Sequence, residues 1–169
     1  MENKTALRIE IKNKRKLLDR ESASKSILEK IRKHPAFINS KNVMLFYPTR
    51  YEINLLDLMD TDGKNFYFPK VDGENMLVCP NNGDFEKSEL NIYEPCSNPV
   101  DGSILDLIIV PALAVDKNNY RLGYGGGFYD RFLAKFNRAK TIAPVFKELL
   151  VDSLPVEDYD IPVDFVIAS

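Results

Sequence analysis

Apolar positions along the chain follow two periods, one helical and one strand-like. Over residues 3 to 20, Leu7, Ile11 and Leu18 recur at helical spacing while Lys4, Arg8, Lys12, Arg15 and Lys16 fill the remaining surface, predicting a basic amphipathic helix. Ile27, Leu28 and Ile31 predict a second helix, capped by Ser22 or Ser24, running to about Lys33 and ended by His34-Pro35. Short strand-like runs then dominate: Val43 to Tyr47, Asn65 to Val71, Met76 to Cys79, Ile104 to Leu113, Thr141 to Phe146 and Val163 to Ala168. Asp72-Gly73 is a turn signal that makes a hairpin of the second and third. Tyr51-Glu52-Ile53-Asn54 opens a predicted short helix with Leu55, Leu56, Leu58 and Met59, broken by Gly63. Phe128, Phe132 and Phe136, at i, i+4 and i+8, mark another. Strands alternating with helices place the chain in the α/β class. The expected architecture is a single domain over residues 1–169, with a mostly parallel sheet, helices on both faces and an antiparallel edge from the 65–79 pair.

Pro80 to Gly102, rich in Asn, Pro, Ser and Gly, reads as a long connection carrying short irregular pieces, and long loops within a domain often line a site. With 44% hydrophobic residues in 169, the chain has ample material for a core. Net charge is −2, unevenly spread: residues 1 to 33 hold eleven Lys/Arg against five Asp/Glu, so the basic part is N-terminal and the remainder acidic. That acidic remainder argues against a nucleic-acid partner. No run approaches the roughly 20 apolar residues that span a bilayer, and the N-terminus is too polar for a signal peptide, so a cytoplasmic protein without a membrane partner is expected. Cys79, Cys96 and the lone His34 supply neither a usual structural zinc site nor a disulfide scaffold.

Candidate chemistry concentrates between Arg121 and Leu133 (RLGYGGGFYDRFL), which holds four of the eight glycines. It follows the apolar run ending near Pro111 and precedes the helix at Phe128, so the expected order is strand, glycine turn, helix. Glycines without side chains let a ligand approach the backbone, and a helix N-terminus offers unpaired N–H groups carrying partial positive charge. The pattern suits a phosphate cradle with Arg121 as a second clamp. Yet Phe128 stands where a dinucleotide fingerprint wants glycine, and no Gly-Lys-Ser/Thr follows as in a P-loop.

Other positions bear on the same chemistry. Lys4 and Arg8, four apart on one helix face, can together grip a polyphosphate. Glu52 is expected at a strand-to-helix crossing, the end of a parallel sheet where ligands bind. Asp130, one turn into the glycine-loop helix, is placed to hold Mg²⁺ beside phosphate oxygens. Asp160 is the best second ligand, with Asp158 and Asp164 as competitors. Tyr47, Phe46, Tyr124, Phe128 and Tyr129 can form a slot for a flat ring.

Taken in order, Lys-x-x-x-Arg from Lys4, Tyr47 followed five residues later by Glu52, Glu94-Pro95, the run Asp106 to Asp116, and Arg121 to Arg131 resemble the 5-formyltetrahydrofolate cyclo-ligase family. The closing segment, Pro155 to Asp164, resembles the family's end, so the likeness covers nearly the whole chain. It implies an enzyme that uses ATP and Mg²⁺ to close 5-formyltetrahydrofolate into 5,10-methenyltetrahydrofolate, releasing ADP and phosphate.

Carried over residue by residue, the resemblance assigns ATP contacts to Lys4, Arg8, Arg121, Leu122, Gly123, Tyr124, Gly125, Gly126, Gly127, Phe128 and Tyr129. Lys4, Arg8 and Arg121 are the catalytic cations. Folate contacts fall on Tyr47, Glu52, Tyr124, Gly125, Gly126, Gly127 and Phe128, and the metal on Asp130 and Asp160. A monomer or weak homodimer acting on small molecules is expected. The chain departs from the family at Ala112 and Val115, where Gly and Phe are commoner, at Asn119 for Gly and at Asn54 for Asp. Phe146-Lys147-Glu148 lacks a glutamine often found there. An alternative on the same fold is a folate- or nucleotide-binding regulator without catalysis.

Overall fold

The computed structural model describes residues 3–169. Helix α1 spans Lys4–Arg15, and the Asn3 side chain caps it by accepting the Thr5 N–H. Helix α2 (Arg20–Arg32) is followed by the single turn α3 (Pro35–Ile38), where His34 Nδ1 accepts the Ala36 N–H. His34 also packs edge-on against Phe165, so it is a capping and packing residue. Strand β1 (Asn42–Met44) leads through the Glu52 loop and a 3-10 turn, Leu56–Asp60, into the hairpin β2 (Asn65–Asp72) and β3 (Asn75–Pro80). A second, smaller hairpin pairs β4 (Phe85–Lys87) with β5 (Tyr93–Pro95). Then come β6 (Leu107–Ile109), β7 (Ala114–Asp116), β8 (Arg121–Leu122) and α4 (Phe128–Lys135). The chain closes with β9 (Lys140–Val145), β10 (Leu150–Val151) and β11 (Phe165–Ala168).

Six strands form the main sheet in the order β11-β9-β6-β1-β2-β3. Five run parallel and β3 is the antiparallel edge, as the hairpin signal predicted. Consecutive residues of the middle strands, Val43 and Met44 or Leu107, Ile108 and Ile109, are fully buried, so both faces of the sheet are covered there. The chain moves from β1 to β2 on one side and later to β6 on the other. Strand order therefore reverses between β1 and β6, and their carboxyl ends open a crevice, the usual ligand position in such a sheet.

Several expectations are corrected. The first helix stops at Arg15, not residue 20, and Leu17 is exposed. Asp19, rather than Ser22 or Ser24, caps α2 by accepting the Ser22 N–H, while buried Ser24 accepts the Asn54 N–H from within the helix. Arg15 is buried instead of solvated. The segment after Glu52 forms only a 3-10 turn. Most consequential, Ile104 to Leu113 is not one strand running into the glycines. Pro111 has no N–H to continue a ladder, so β6 ends at Ile109, and the antiparallel pair β7–β8 intervenes in a separate sheet with β10. The glycine loop thus leaves a hairpin and not the parallel sheet. Asn119 turns that hairpin at φ 65, which asparagine tolerates.

Asp116 organises the hairpin from inside. Its Oδ1 accepts the Asn118 and Tyr120 N–H groups at 2.9 and 3.0 Å, its Oδ2 accepts that of Leu154 at 3.1 Å, and the residue is only 5% exposed. Asp116→Ala strands these donors and should cost about 3 kcal/mol in urea unfolding. Exposed Asp62→Ala should stay within about 0.5 kcal/mol of the parent. Equal midpoints for the two variants would refute the role of Asp116.

Candidate functional site

The crevice at the β1/β6 reversal is a cavity of about 760 Å³, within the usual range for small-molecule sites. Segments following β1 and β6 wall it, with Pro69 and Val71 of β2, residues between Ser88 and Glu94, the glycine loop, the N-terminal half of α1 and the turn Glu157 to Asp160. Its lining combines the cations Lys4, Arg8 and Arg121 with aromatic side chains such as Phe46, Tyr47, Tyr93 and Phe128.

Arg121 is deeply buried. Its Nη1 donates to the Pro111 carbonyl at 3.2 Å, its Nη2 lies 3.6 Å from Asp130 Oδ1, and the guanidinium sits 5.4 Å from the Tyr129 ring centroid. Its Nε is buried without an acceptor in the protein. Burial depresses the Arg121 pKa despite the nearby Asp130. A cation so sparsely matched favours an incoming anion.

Arg8 reaches from α1 to donate through Nε to the Gly123 carbonyl at 2.8 Å. Lys4, one turn earlier, pairs with Asp160 at 2.8 Å and with Glu157 at 3.3 Å. Both side chains reach the cavity from one face of α1, as their four-residue spacing predicts. The glycines are conformationally required at two points: Gly125 and Gly127 hold φ at +109° and +69°. Gly127 also forms the N-terminal boundary of α4, whose first residues line the cavity.

Glu52 also lines the cavity and is only 7% exposed. Its Oε1 accepts the Thr49 N–H at 2.8 Å and its Oε2 accepts the Tyr124 hydroxyl at 2.9 Å, while Arg20 bonds its carbonyl from α2. Tyr47 packs against Tyr93, Phe85 and Phe68 at centroid distances of 5.0, 5.2 and 6.3 Å, building an aromatic wall. Phe128 is half-buried in the cavity wall with Arg131 over its ring at 5.0 Å.

All the candidate residues line this one cavity: Lys4, Arg8, Tyr47, Glu52, Arg121 to Asp130, and Asp160. Asp158 and Asp164 do not; Asp164 instead accepts the Thr141 N–H and hydroxyl, tying β9 to the approach of β11. Sequence reasoning missed Arg15, Tyr93 and Glu157. Arg15 extends the stripe of Lys4, Arg8 and Ile11 by one more turn, a signal the residue spacing held. Glu94 appeared only within a family motif. Its Oε2 accepts the Val71 N–H at 2.7 Å, which fixes the long connection against the sheet edge. For Tyr93 and Glu157 no local signal existed.

Asp130 and Asp160 fit a cation that keeps phosphate and water ligands. Asp130 Oδ1 accepts the Ile161 N–H and Asp160 Oδ2 accepts the Glu157 N–H, leaving Asp130 Oδ2 and Asp160 Oδ1 outside these bonds. Among the described residues no group of three or more His, Cys, Asp or Glu converges.

A family model described as the 5-formyltetrahydrofolate cyclo-ligase family matches residues 1–169. The chain is 32% identical to the 5-formyltetrahydrofolate cyclo-ligase of Escherichia coli strain K12, over 79% of this chain and 81% of that one. It is 27% identical to the enzyme of that name from Mus musculus, over 97% and 92% respectively. The solved structure of Aquifex aeolicus 5,10-methenyltetrahydrofolate synthetase superimposes with a TM-score of 0.86 at 29% identity, covering 98% of this chain and 89% of that one.

The Lys4 pairing carries a pH signature. Burial works against its charge, but the Asp160 hydrogen bond and charge, aided by Glu157, outweigh it and raise its pKa above 10.5. Because the folded value is the higher one, the stabilisation is complete below the unfolded value and is lost as pH rises through the folded one. Lys4→Met should therefore lower stability by roughly 1 kcal/mol, a gap constant between about pH 7 and 9 and closing as pH rises past 10.5. Urea titrations across that range check it, and a gap that closes below pH 9 would count against the pairing.

Proposed function

Because the chain belongs to the 5-formyltetrahydrofolate cyclo-ligase family, we propose that it uses ATP to close 5-formyltetrahydrofolate into 5,10-methenyltetrahydrofolate, releasing ADP and phosphate. Family membership makes it an enzyme of the ligase class. The carrying observation is a single cavity lined by a sparsely paired Arg121, a glycine loop, an anchored carboxylate and aromatic side chains.

The chemistry explains why these features share one cavity. A formamide carbonyl is a poor electrophile, and its oxygen is a poor leaving group. Transfer of the γ-phosphoryl to that oxygen forms a P–O bond as the bond to ADP breaks. The N10 amine then attacks the activated carbon and loses its proton, and phosphate departs with the former formyl oxygen. Little covalent work falls to the protein, whose contribution is positioning and charge neutralisation.

In this reading Lys4, Arg8 and Arg121 neutralise the phosphoryl oxygens, and the backbone from Leu122 to Tyr129 cradles the triphosphate. Glu52 accepts hydrogen bonds from the pterin's amino and ring N–H groups. Tyr47, Tyr124 and Phe128 flank the ring system, with Gly125 to Gly127 allowing close approach of the two substrates. Asp130 and Asp160 would hold Mg²⁺, which when bound neutralises phosphate charge and orients the chain of phosphates. Residues 1–169 act as one domain, a monomer or weak homodimer with small-molecule partners in the cytoplasm. Among the described residues no helix is long and apolar enough to cross a membrane.

Purified protein given ATP, Mg²⁺ and 5-formyltetrahydrofolate should accumulate the near-ultraviolet-absorbing methenyl product with one phosphate released per turnover. Absence of product overturns the enzyme, and folate binding without phosphate release identifies a binding protein instead. Arg121→Ala should lower kcat/KM for ATP by roughly 10²–10³-fold. Arg121→Lys should recover only part, because an ammonium lacks the guanidinium's planar fork.

A further inference from the structure

The face of α1 that carries Lys4 and Arg8 ends in a third cation, Arg15, which is 7% exposed. Its Nη1 donates to the Tyr124 hydroxyl at 2.7 Å, and that hydroxyl donates in turn to Glu52 Oε2 at 2.9 Å. No direct ion pair joins Arg15 to Glu52, so the phenol is interposed between buried charges of opposite sign. Arg15 Nε has no acceptor in the protein. A surface lysine or arginine would hold α1 without losing its water; this one is buried and its bond is directed at a single oxygen. Polarisation by the guanidinium strengthens the phenol as a donor to the carboxylate.

Tyr124 also belongs to the loop proposed to receive phosphate. Gly123 on its one side is held by Arg8, and Gly125 on the other, at φ +109°, marks a sharp change of chain direction. Lys12 Nζ and Arg15 Cζ lie 5.5 and 5.6 Å from its ring centroid, so the side chain is located by α1 as well as by the loop. Any shift of the loop moves the hydroxyl that orients Glu52.

We propose that Arg15 and Tyr124 are positioning residues that set the Glu52 carboxylate for the pterin and couple its orientation to nucleotide in the glycine loop, an inference that rests on the function proposed above. Arg15 touches neither substrate and acts through Tyr124. Lys4 and Arg8 line the cavity from the same helix that steadies Tyr124. Occupation of the phosphate site therefore fixes α1 and the loop together, and with them the donor to Glu52. Although Tyr124 as a whole is 42% exposed, desolvation of its hydroxyl and the adjacent Glu52 charge raise the phenol pKa, so the donor persists at physiological pH. By linkage, folate must tighten nucleotide by the factor with which nucleotide tightens folate.

Tyr124→Phe keeps the ring and removes only the hydroxyl, so it tests the bond without opening the fold. Its KM for 5-formyltetrahydrofolate should rise about tenfold, the effect of losing one hydrogen bond to a charged group, while the Kd of a non-hydrolysable ATP analogue measured without folate changes less than about twofold. In calorimetric titrations a non-hydrolysable ATP analogue should tighten folate binding at least about fivefold in the parent and leave it nearly unchanged in Tyr124→Phe. Arg15→Met should resemble Tyr124→Phe, the double variant should be no worse than Tyr124→Phe alone, and Arg15→Lys should recover part of the loss. An unchanged folate KM in Tyr124→Phe, a parent coupling factor of one, or additive single effects would overturn the inference. Failure of the parent to make product with ATP would instead sink the proposed function, while the binding titrations would still report on Tyr124.

Discussion

A guanidinium removed from water at Arg121 is the constraint around which the site is arranged. Taking such a charge out of solvent costs several kcal/mol unless the protein replaces the lost hydrogen bonds. Here the replacement is deliberately thin: one carbonyl, one carboxylate at 3.6 Å, an aromatic face, and nothing for Nε. Pro111 ends β6 where its carbonyl meets the guanidinium, and β8 delivers Arg121 to that point. The first turn of α4 then brings Asp130 alongside. Lys4 is treated differently, being matched to Asp160 and Glu157. Of the cavity's three cations, Lys4 is thus matched by carboxylates, Arg8 bonds a backbone carbonyl, and Arg121 is still short of partners.

Much of this was legible in the chain. Apolar runs located the six strands of the main sheet, and Asp72-Gly73 gave its antiparallel edge. The candidate residues, spread from Lys4 to Asp160, do line one cavity. What escaped has physical causes. The run from Ile104 to Leu113 is apolar throughout because both β6 and the segment after it are buried, so hydrophobicity alone could not show that Pro111 splits it. Arg15 looked like surface because charge is normally solvated; its burial depends on Tyr124, 109 residues away. The hairpin of β4 and β5 lies in a stretch of turn-forming residues whose order comes from pairing and from the Glu94 bond to Val71, neither visible locally.

The glycine loop is restrained from outside as well as within. Arg131, on α4, donates to the Gly126 carbonyl at 2.9 Å and twice to the Glu74 carbonyl, joining the loop to the tip of the β2–β3 hairpin. Arg8 holds the opposite side through Gly123. Two arginines from different helices therefore bracket a segment whose glycines would otherwise sample many conformations. Loop order arises from neighbours rather than from its own sequence, leaving the peptide groups free of bulky side chains where a ligand must approach.

The bonds that define the cavity join residues far apart in the chain: Lys4 to Asp160 spans 156 positions, Arg8 to Gly123 spans 115, and Tyr124 to Glu52 spans 72. Each such contact closes a long loop whose entropy must be overcome before the contact is rewarded, so these bonds belong to late steps in folding. Local pieces such as α2 or the β2–β3 hairpin can form while the cavity has no walls. A polypeptide emerging during synthesis would carry the cations of α1 for most of its length before their partners exist. Ligand binding is in that sense a certificate of complete folding, and a protein that is only partly folded has no weakened version of this site.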